Sequence, residues 1–152
     1  MSKINVTPFF KFCRVKVMNQ VFDTKAEEVR IQIKPDERFK PICSRCRKRA
    51  EEIHSFNHRS VRDLNIFHAR TSLFVTYRTV KCATCGTVVE YVPLLEPYKR
   101  VTRRLADYIL ELCRHMSIKE VAEHLKLNWK TVKAIHKRYL KEKFSQRKNN
   151  QN

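Results

Sequence analysis

Two Cys-x-x-Cys pairs constrain this chain more than any other feature of its sequence. They are Cys43 with Cys46 and Cys82 with Cys85. Two residues between cysteines let a tight turn direct both thiolates at one ion, and a second such turn completes a tetrahedron around Zn²⁺. Because four thiolates fill that coordination shell, the pattern predicts one structural zinc ion and no catalytic metal.

The only glycine of the chain supports this interpretation. Gly86 directly follows Cys85, where such a turn often needs a positive φ that glycine adopts without steric cost. Arg47 has the equivalent place after the first pair. We therefore expect the first turn to be either strained or differently shaped.

The 35 residues between Cys46 and Cys82 exceed the common ribbon spacing of ~15–20. A hairpin inserted between the two turns would account for the excess, because this segment is rich in β-branched and aromatic residues. Alternation of apolar and polar residues predicts strands elsewhere as well, with the first two forming a hairpin across Asp23–Glu28. The predicted strands are Cys13–Val17, Val29–Ile33, Ser60–Leu64, Ser72–Val80 and Thr87–Val92.

Two other uses of the cysteines compete with the ribbon. His54 and His58 could join Cys43 and Cys46 in a Cys₂His₂ finger, but only seven residues separate Cys46 from His54, against about 12 in that module. That finger would also leave the second pair without a role. A thioredoxin-like redox pair would need a Cys-x-x-Cys at the start of a helix in a βαβ unit, and neither pair has that setting.

The charge of the chain points to a polyanionic partner. Lys and Arg total 33 against 15 acidic residues, giving a net charge of +18, and such a field attracts nucleic acids. The sequence shows no basic amphipathic helix of the kind that binds a membrane surface. Because the sequence contains neither a membrane-length apolar run nor an apolar signal region, we predict a cytoplasmic protein. Charge alone does not distinguish DNA from RNA.

Helical spacing replaces strand-like alternation after Pro97. Thr102 is a good N-cap for a helix over Arg103–His115. Ser117 with Glu120 forms the capping-box pattern that opens a second helix. Asn128 can cap a third helix, which we expect to end near Phe144.

Residues 118–140 have the apolar spacing of a helix-turn-helix unit, although an ordinary helical hairpin has similar periodicity. Ala122 is small where the two helices would cross, and Leu127 would fill the turn. Lys126 stands where glycine is frequent, so either the lysine is left-handed, at a cost on the order of 1–2 kcal/mol, or the turn takes another geometry. The predicted inner residues are Val121, Ala122, Leu125, Leu127, Val132 and Ile135.

If this unit binds DNA, its second helix is the recognition helix, whose N-terminal residues face base edges in the major groove. Its predicted outward residues are Asn128, Trp129, Lys130, Thr131, Lys133, Ala134 and Lys137. Other basic residues would contact phosphates, which positions a protein without reading sequence: Arg103, Arg104, Lys119 and Arg138. Each lysine could instead be a solvated surface residue, and Trp129 could pack at the helix start.

These patterns together predict an α+β chain. A small β-rich zinc-ribbon domain over residues 1–95 precedes an all-α helix-turn-helix domain over residues 99–144. The polar tail over residues 145–152 is expected to be disordered.

In this order, the motifs resemble the N-terminal part of the ISL-three family of insertion-sequence transposases. The resemblance covers roughly residues 40–140. It rests on Cys43-x-x-Cys46, on Arg59-Ser-Val-Arg62-Asp63-Leu64, on Tyr77-Arg78-x-Val80-Lys81-Cys82-x-x-Cys85-Gly86, on Thr102 and on the helical segment Ser117–Leu140.

Three departures from the family pattern qualify what the resemblance implies. Asn65 follows Leu64 where the family usually has proline, and Arg47 replaces the first glycine. Family members also continue into a catalytic domain with three acidic metal ligands, whereas the 15 acids here are scattered. Two-metal phosphoryl transfer needs a carboxylate cluster. The resemblance therefore implies recognition of transposon ends, and no strand cleavage is assigned.

We thus expect sequence-specific binding of double-stranded DNA by a transposase-derived chain that is not itself an enzyme. A zinc-ribbon RNA- or ribosome-associated protein is the alternative, with Phe67, Phe74 and Tyr77 as a stacking surface for bases. Redox or hydrolytic catalysis is the least favoured class. The sequence leaves open a homodimer through the third helix and an association with a full-length transposase.

Overall fold

The computed structural model describes residues 14–96 and 99–149, with side chains up to residue 145. Five strands precede three helices, which agrees with the predicted α+β class. The chain forms two compact units that divide between Arg103 and Arg104. The assignment of residues 1–95 and 99–144 to separate domains stays a prediction.

The first two strands form the predicted hairpin. Strand β1 (Val15–Asp23) pairs antiparallel with β2 (Glu28–Pro35), while Cys13 lies outside the described residues. The Asp23 carboxylate accepts hydrogen bonds of 3.0 Å from the backbone amides of Lys25 and Ala26. An aspartate that bonds to backbone two residues ahead stabilises a tight turn, which explains where the chain reverses.

The sheet has the order β1-β2-β4-β3, with β5 paired to β4. Strand β3 (Glu52–Arg62) and strand β4 (Arg70–Cys82) are antiparallel, as expected for a hairpin between the two cysteine turns. The opposite edge of β4 pairs first with β2 and then with β5 (Gly86–Val89). The β2–β4 pairing is parallel, and nothing in the local sequence pattern predicted it.

Strand β3 begins eight residues earlier than predicted, at Glu52 rather than Ser60. Its first half is largely exposed, including His54, Phe56 and His58. Since β3 is an edge strand that pairs only with β4, this half needs no buried face. The apolar alternation that identifies a half-buried strand is therefore absent.

Strand β4 buries different faces along its length, and this creates two small cores. Its first half buries Leu73 and Val75, in a cluster with Ile31, Ile33 and Val61. Its second half buries alternate positions of the other parity, with Val80 and Cys82 in a cluster that also contains Cys43, Ala50 and Val88. The second core positions the cysteines.

Three helices complete the described chain: α1 (Arg103–Leu112), α2 (Ile118–His124) and α3 (Trp129–Asn149). None of the described helices combines the length and apolarity that crossing a bilayer requires. Helix α1 ends three residues before the predicted His115. The residue before it, Thr102, is fully buried and its hydroxyl donates to the Asp63 carboxylate over 2.7 Å.

The capping predictions for the other two helices are confirmed. The Ser117 hydroxyl accepts from the Glu120 amide at 3.3 Å, and the Ser117 amide donates to the Glu120 carboxylate at 2.7 Å. These bonds lower the pKa of Glu120. The Asn128 side chain accepts from the Lys130 amide at 2.9 Å at the start of α3.

Helix α3 extends beyond its predicted end near Phe144. Residues 145–149, which we predicted to be disordered, are helical. This part of the chain is polar but contains neither proline nor glycine, so no residue interrupts the ladder of backbone hydrogen bonds. Residues 150–152 lie outside the described chain.

Candidate metal centre and nucleic-acid interface

The structure brings the four predicted cysteines together. The sulfur atoms of Cys43, Cys46, Cys82 and Cys85 all lie within 4.8 Å of one another. The Sγ atoms of Cys46 and Cys82 are 3.6 Å apart. Zinc–sulfur bonds of about 2.3 Å in a tetrahedron put sulfur atoms about 3.8 Å apart. The arrangement therefore fits a tetrahedral zinc ion.

The first cysteine turn is a knuckle built on backbone contacts of Cys43. Its amide donates to the carbonyl of Lys48 at 2.9 Å, and its sulfur accepts from the Arg45 amide at 3.4 Å. The Arg47 amide closes the turn by donating a hydrogen bond of 3.1 Å to the Cys43 carbonyl, and Arg47 has a φ of +64°. The expected strain is therefore present, because a residue with a Cβ occupies the left-handed region.

The second knuckle is the turn of the β4–β5 hairpin. Cys82 pairs with Gly86 across the turn, and Gly86 has a φ of +71°, as expected from its place in the sequence. A Cβ added to Gly86 would meet no atom within 4 Å. The glycine is therefore required by backbone conformation and not by lack of space.

Backbone bonds attach the first knuckle to the last residue of β5 and to the chain that follows it. The Tyr91 amide donates to the Ile42 carbonyl at 2.7 Å, and the Ser44 amide donates to the Val89 carbonyl at 3.3 Å. Between them, Glu90 forms a buried ion pair of 2.7 Å with Arg78 on β4. The first knuckle thus depends on tertiary contacts to a distant part of the chain.

Ionising all four thiols in so small a space is unfavourable unless a dication binds between them. Burial opposes the ionisation of Cys43, but backbone amides of Cys46 and Arg45 outweigh it and lower the pKa of Cys43 to about 7. Burial and the neighbouring thiols raise the pKa of Cys85 to about 12. Four thiolates in this space need a cation, and Zn²⁺ deprotonates coordinating thiols outright.

The histidines of the competing Cys₂His₂ hypothesis do not join this cluster. His54 and His58 lie exposed on β3. The ring nitrogen Nδ1 of His58 is 3.0 Å from the hydroxyl of Thr76 on β4. The only cluster of potential metal ligands among the described residues consists of the four cysteines.

Helices α2 and α3 pack against each other through the residues predicted to be internal. Five of these are buried: Val121, Ala122, Leu125, Val132 and Ile135. Leu127 in the turn is half-buried.

The turn between α2 and α3 is closed by two backbone bonds around a left-handed lysine. The Leu127 amide donates to the Ala122 carbonyl at 2.8 Å, and the Lys126 amide donates to the Glu123 carbonyl at 3.2 Å. This is the Schellman pattern, in which the residue after the helix is left-handed. Lys126 has a φ of +52°, so the turn adopts the left-handed one of the two geometries that the sequence left open.

One side of α3 presents a basic surface. Six of the seven predicted outward residues are exposed, namely Asn128, Trp129, Lys130, Lys133, Ala134 and Lys137, while Thr131 is half-buried. No acidic residue occurs from Asn128 to Lys141. The Lys133 ammonium lies 5.4 Å from the centre of the Trp129 ring, so this pair presents a cation next to an apolar plane.

The residues predicted to contact phosphates are distributed over both units. Lys119 is exposed on α2, and Arg104 is half-buried on α1. The Nε of Arg138 lies 3.9 Å from a carboxylate oxygen of Glu142. Arg103 belongs to the strand-rich unit. Its Nε donates to the Leu95 carbonyl at 3.4 Å.

Sequence reasoning did not single out Arg47 and Arg59 as functional residues. Together with Arg103 they line a small cavity in the strand-rich unit. Arginine is abundant throughout this chain, so composition gave no reason to choose these residues. Only the tertiary structure brings them together.

Comparison with known proteins agrees with this geometry. Residues 40–85 match a family described as the zinc-finger of transposase IS204/IS1001/IS1096/IS1165. Residues 90–140 match the helix-turn-helix domain of transposase family ISL3. Neither of these matching regions is a catalytic domain. No solved structure matches the chain.

A curated relative supports the same assignment. The chain is 37% identical over 101 residues to the transposase for insertion sequence element IS1001 of Bordetella parapertussis. That match covers 66% of this chain and 25% of the relative, so the chain spans about a quarter of the transposase. Two successive regions of the chain are therefore similar to the zinc-finger and helix-turn-helix regions of ISL3-family transposases.

Proposed function

We propose that this chain binds double-stranded DNA sequence-specifically and recognises the terminal repeats of an insertion sequence. The observation that carries the proposal is the acid-free, basic side of α3, exposed on a helix whose other side is buried against α2. A helix of this kind fits the major groove of B-DNA, which admits one α-helix.

The N-terminal turns of α3 read the bases in this proposal. Lys130 and Lys133 are long enough to reach guanine acceptors, Thr131 bonds to either a donor or an acceptor, and the Ala134 methyl contacts a thymine methyl. Asn128, Trp129 and Lys137 flank these contacts on the exposed side. Lys119, Arg104 and Arg138 neutralise phosphates and fix the register.

One structural zinc ion completes the proposed molecule. The sulfur atoms of Cys43, Cys46, Cys82 and Cys85 close its coordination shell and leave no position for a substrate. Two buried members of the set, Cys43 and Cys82, also belong to the second core of the strand-rich unit. The ion thereby joins both knuckles to one core, and its role is to stabilise the fold.

The decisive experiment is selection of bound sequences from a random duplex library with zinc-loaded protein at physiological salt. We expect one enriched motif that matches the ends of a nearby insertion element. Two copies of the motif about one helical turn apart would reveal binding as a dimer. Binding without any enrichment would contradict the proposal, since it leaves only the electrostatic attraction expected of a +18 protein.

Variants of α3 separate base reading from general attraction. Lys130→Ala and Lys133→Ala should weaken binding to the selected motif more than binding to scrambled duplex. Lys141→Ala is the matched control, because it removes the same charge from an exposed position two to three turns further along the same helix. Equal weakening on both duplexes would reassign Lys130 and Lys133 to phosphate contacts.

RNA binding is the second candidate function, and the exposure of two aromatic side chains favours it. Phe67 is 92% exposed and Phe74 is 45% exposed, as a stacking surface for unpaired bases requires. Tyr77 instead packs against the first core. Single-stranded RNA that displaces duplex DNA at matched salt, and fails to do so after Phe74→Ala, would establish this function.

A chain that shares target ends with a full-length transposase would also compete with it. In a cell that contains an active element, we expect expression of this chain to lower the frequency of transposition. The Lys130→Ala, Lys133→Ala double variant should restore it. Equal inhibition by the wild type and the double variant would indicate association with the transposase itself.

A further inference from the structure

A small cavity in the strand-rich unit is lined by three arginines. Arg47 comes from the first knuckle, Arg59 from β3 and Arg103 from the start of α1, and the rings of Tyr77 and Tyr91 form its apolar walls. The cavity has a volume of about 20 Å³, enough for one water-sized group. A single oxygen atom of a larger oxyanion can therefore enter it.

Contacts with the two tyrosine rings hold the guanidinium groups around this space. The Arg47 guanidinium carbon lies 3.5 Å from the centre of the Tyr91 ring, and that of Arg103 lies 5.9 Å from the same centre. The Arg59 guanidinium carbon lies 5.3 Å from the centre of the Tyr77 ring. Cation–π contacts of this kind restrict a guanidinium side chain without using its N–H groups.

Arg59 also has a buried donor without a hydrogen-bond partner among the described residues. One terminal nitrogen of its guanidinium donates to the Glu96 carbonyl at 3.0 Å. Its Nε is buried and has no hydrogen-bond partner among the described residues. Burial lowers the pKa of Arg59. A buried donor without a partner is costly and calls for an explanation, such as a ligand that accepts the bond.

The charge around the cavity is also uncompensated. Within the described ranges, Arg47, Arg59 and Arg103 form no ion pair with a carboxylate. Glu90 lines the cavity, but its carboxylate is already paired with Arg78 at 2.7 Å. Three like charges converging on one space repel one another unless an anion lies between them.

We propose that this cavity binds a phosphate group, with Arg47, Arg59 and Arg103 as a clamp on its oxygens. A guanidinium group matches the geometry of phosphate and donates two parallel hydrogen bonds to its oxygens. In a chain that binds DNA, the natural source is a phosphodiester of the duplex backbone, and this assignment rests on the function proposed above. The strand-rich unit would then contact the duplex itself.

The test uses zinc-loaded protein and a short mixed-sequence duplex, with affinity measured over a range of salt concentrations. The slope of log affinity against log salt counts the phosphates that the protein neutralises. Replacing all three arginines by glutamine should reduce the magnitude of this negative slope. The reduction should be about one if the arginines share a phosphate, and about three if each binds its own. Arg45→Gln, an exposed charge in the same knuckle, should leave the slope unchanged.

A second measurement tests the site without DNA. Inorganic phosphate should raise the unfolding temperature of the wild type above that in chloride of equal ionic strength, and Arg47→Gln should abolish the difference. Arg47 is exposed, so this variant should keep its fold and its zinc. Phosphate stabilisation with an unchanged DNA slope would assign the site to free phosphate instead of the backbone.

The outcomes separate this proposal from the proposed function. If the wild type binds duplex, and the cavity variants keep both the wild-type salt slope and the stabilisation by phosphate, the clamp is overturned and DNA binding stands. If phosphate stabilises the wild type but no duplex binds, the clamp stands and DNA binding is overturned. A triple-variant slope lower by about three would overturn the single shared phosphate.

Discussion

The two cysteine knuckles solve one geometric problem by different means. Each places a residue with positive φ one position after its second cysteine, at +71° in Gly86 and +64° in Arg47. The second knuckle is a hairpin turn between paired strands. The first is secured by bonds to the last residue of β5 and to the chain that follows it, more than 40 positions further along the chain.

This difference shows where local preference ends and tertiary stabilisation begins. Gly86 adopts its conformation without penalty, so the second turn can form as soon as β4 and β5 pair. Arg47 is held in an unfavourable conformation by the surrounding contacts, including the stack of its guanidinium on Tyr91. The first knuckle should therefore depend more strongly on the rest of the unit.

Loss of a zinc ligand should have the largest effect and should not distinguish the knuckles. Cys43→Ser and Cys82→Ser should each abolish stoichiometric zinc binding and cooperative unfolding of the strand-rich unit, because structural zinc sites contribute roughly 10–16 kcal/mol. Metal analysis and circular dichroism measure both effects. Cys113→Ser, outside the sulfur cluster, should retain full zinc. A ligand variant that also retains it would exclude that cysteine from the site.

Breaking the buried ion pair should affect the first knuckle selectively. Glu90→Gln leaves the Arg78 charge unpaired in the core and should cost about 3–5 kcal/mol in the free energy of unfolding. Zinc release to a chelator should also become faster.

The matched control for this variant is Glu52→Gln. Glu52 forms a 3.2 Å ion pair with Lys81, and both side chains are at least half exposed, so the loss should be below about 1 kcal/mol. Urea unfolding of both zinc-loaded variants measures the difference. Equal losses would mean that the Arg78–Glu90 pair does not anchor the knuckle.

Giving the second knuckle a Cβ should make it resemble the first. Gly86→Ala should destabilise the protein by about 1–2 kcal/mol, the cost of a left-handed residue other than glycine. No steric clash adds to this cost, because the space around the new Cβ is open. A loss several times larger in urea unfolding would show that the backbone cannot keep this conformation.

The reverse change in the first knuckle should have the smallest effect. Arg47→Gly relieves a strain of about 1–2 kcal/mol but removes a ring contact worth about 0.5–1 kcal/mol. We therefore expect a net stabilisation between zero and about 1.5 kcal/mol. Arg47→Ala keeps the strain and loses the ring contact, so it should be less stable than the wild type. If both variants were equally destabilised, strain at this position would be negligible.

Features that depend on neighbouring residues could be predicted from the sequence. The Cys-x-x-Cys spacings, the glycine after Cys85, and the caps formed by Ser117 and Asn128 each involve a few consecutive residues. Their physical cause is therefore visible locally. The inner residues of α2 and α3 were predictable for the same reason, because helical periodicity repeats within a single turn.

Features that depend on distant partners could not be predicted in this way. The parallel pairing of β2 with β4, the burial of Arg78 with Glu90, and the convergence of arginines on the cavity all require knowledge of the sheet order. The early start of β3 was missed because an edge strand needs no apolar face. The choice of Lys130 and Lys133 as base contacts stays a prediction.

The parallel pairing of β2 with β4 has a consequence for how this protein is made. When β1 and β2 leave the ribosome, the apolar edge of β2 has no neighbour, because Arg70, the partner of Glu28, is 42 residues away. At ordinary elongation rates this interval lasts about 2–8 s. During that time the backbone groups along one edge of β2 are unpaired, and the apolar side chains of Val29, Ile31 and Ile33 are not covered by β4. An open edge on an apolar strand promotes aggregation. Newly synthesised chains should therefore be most vulnerable before the second knuckle has been translated.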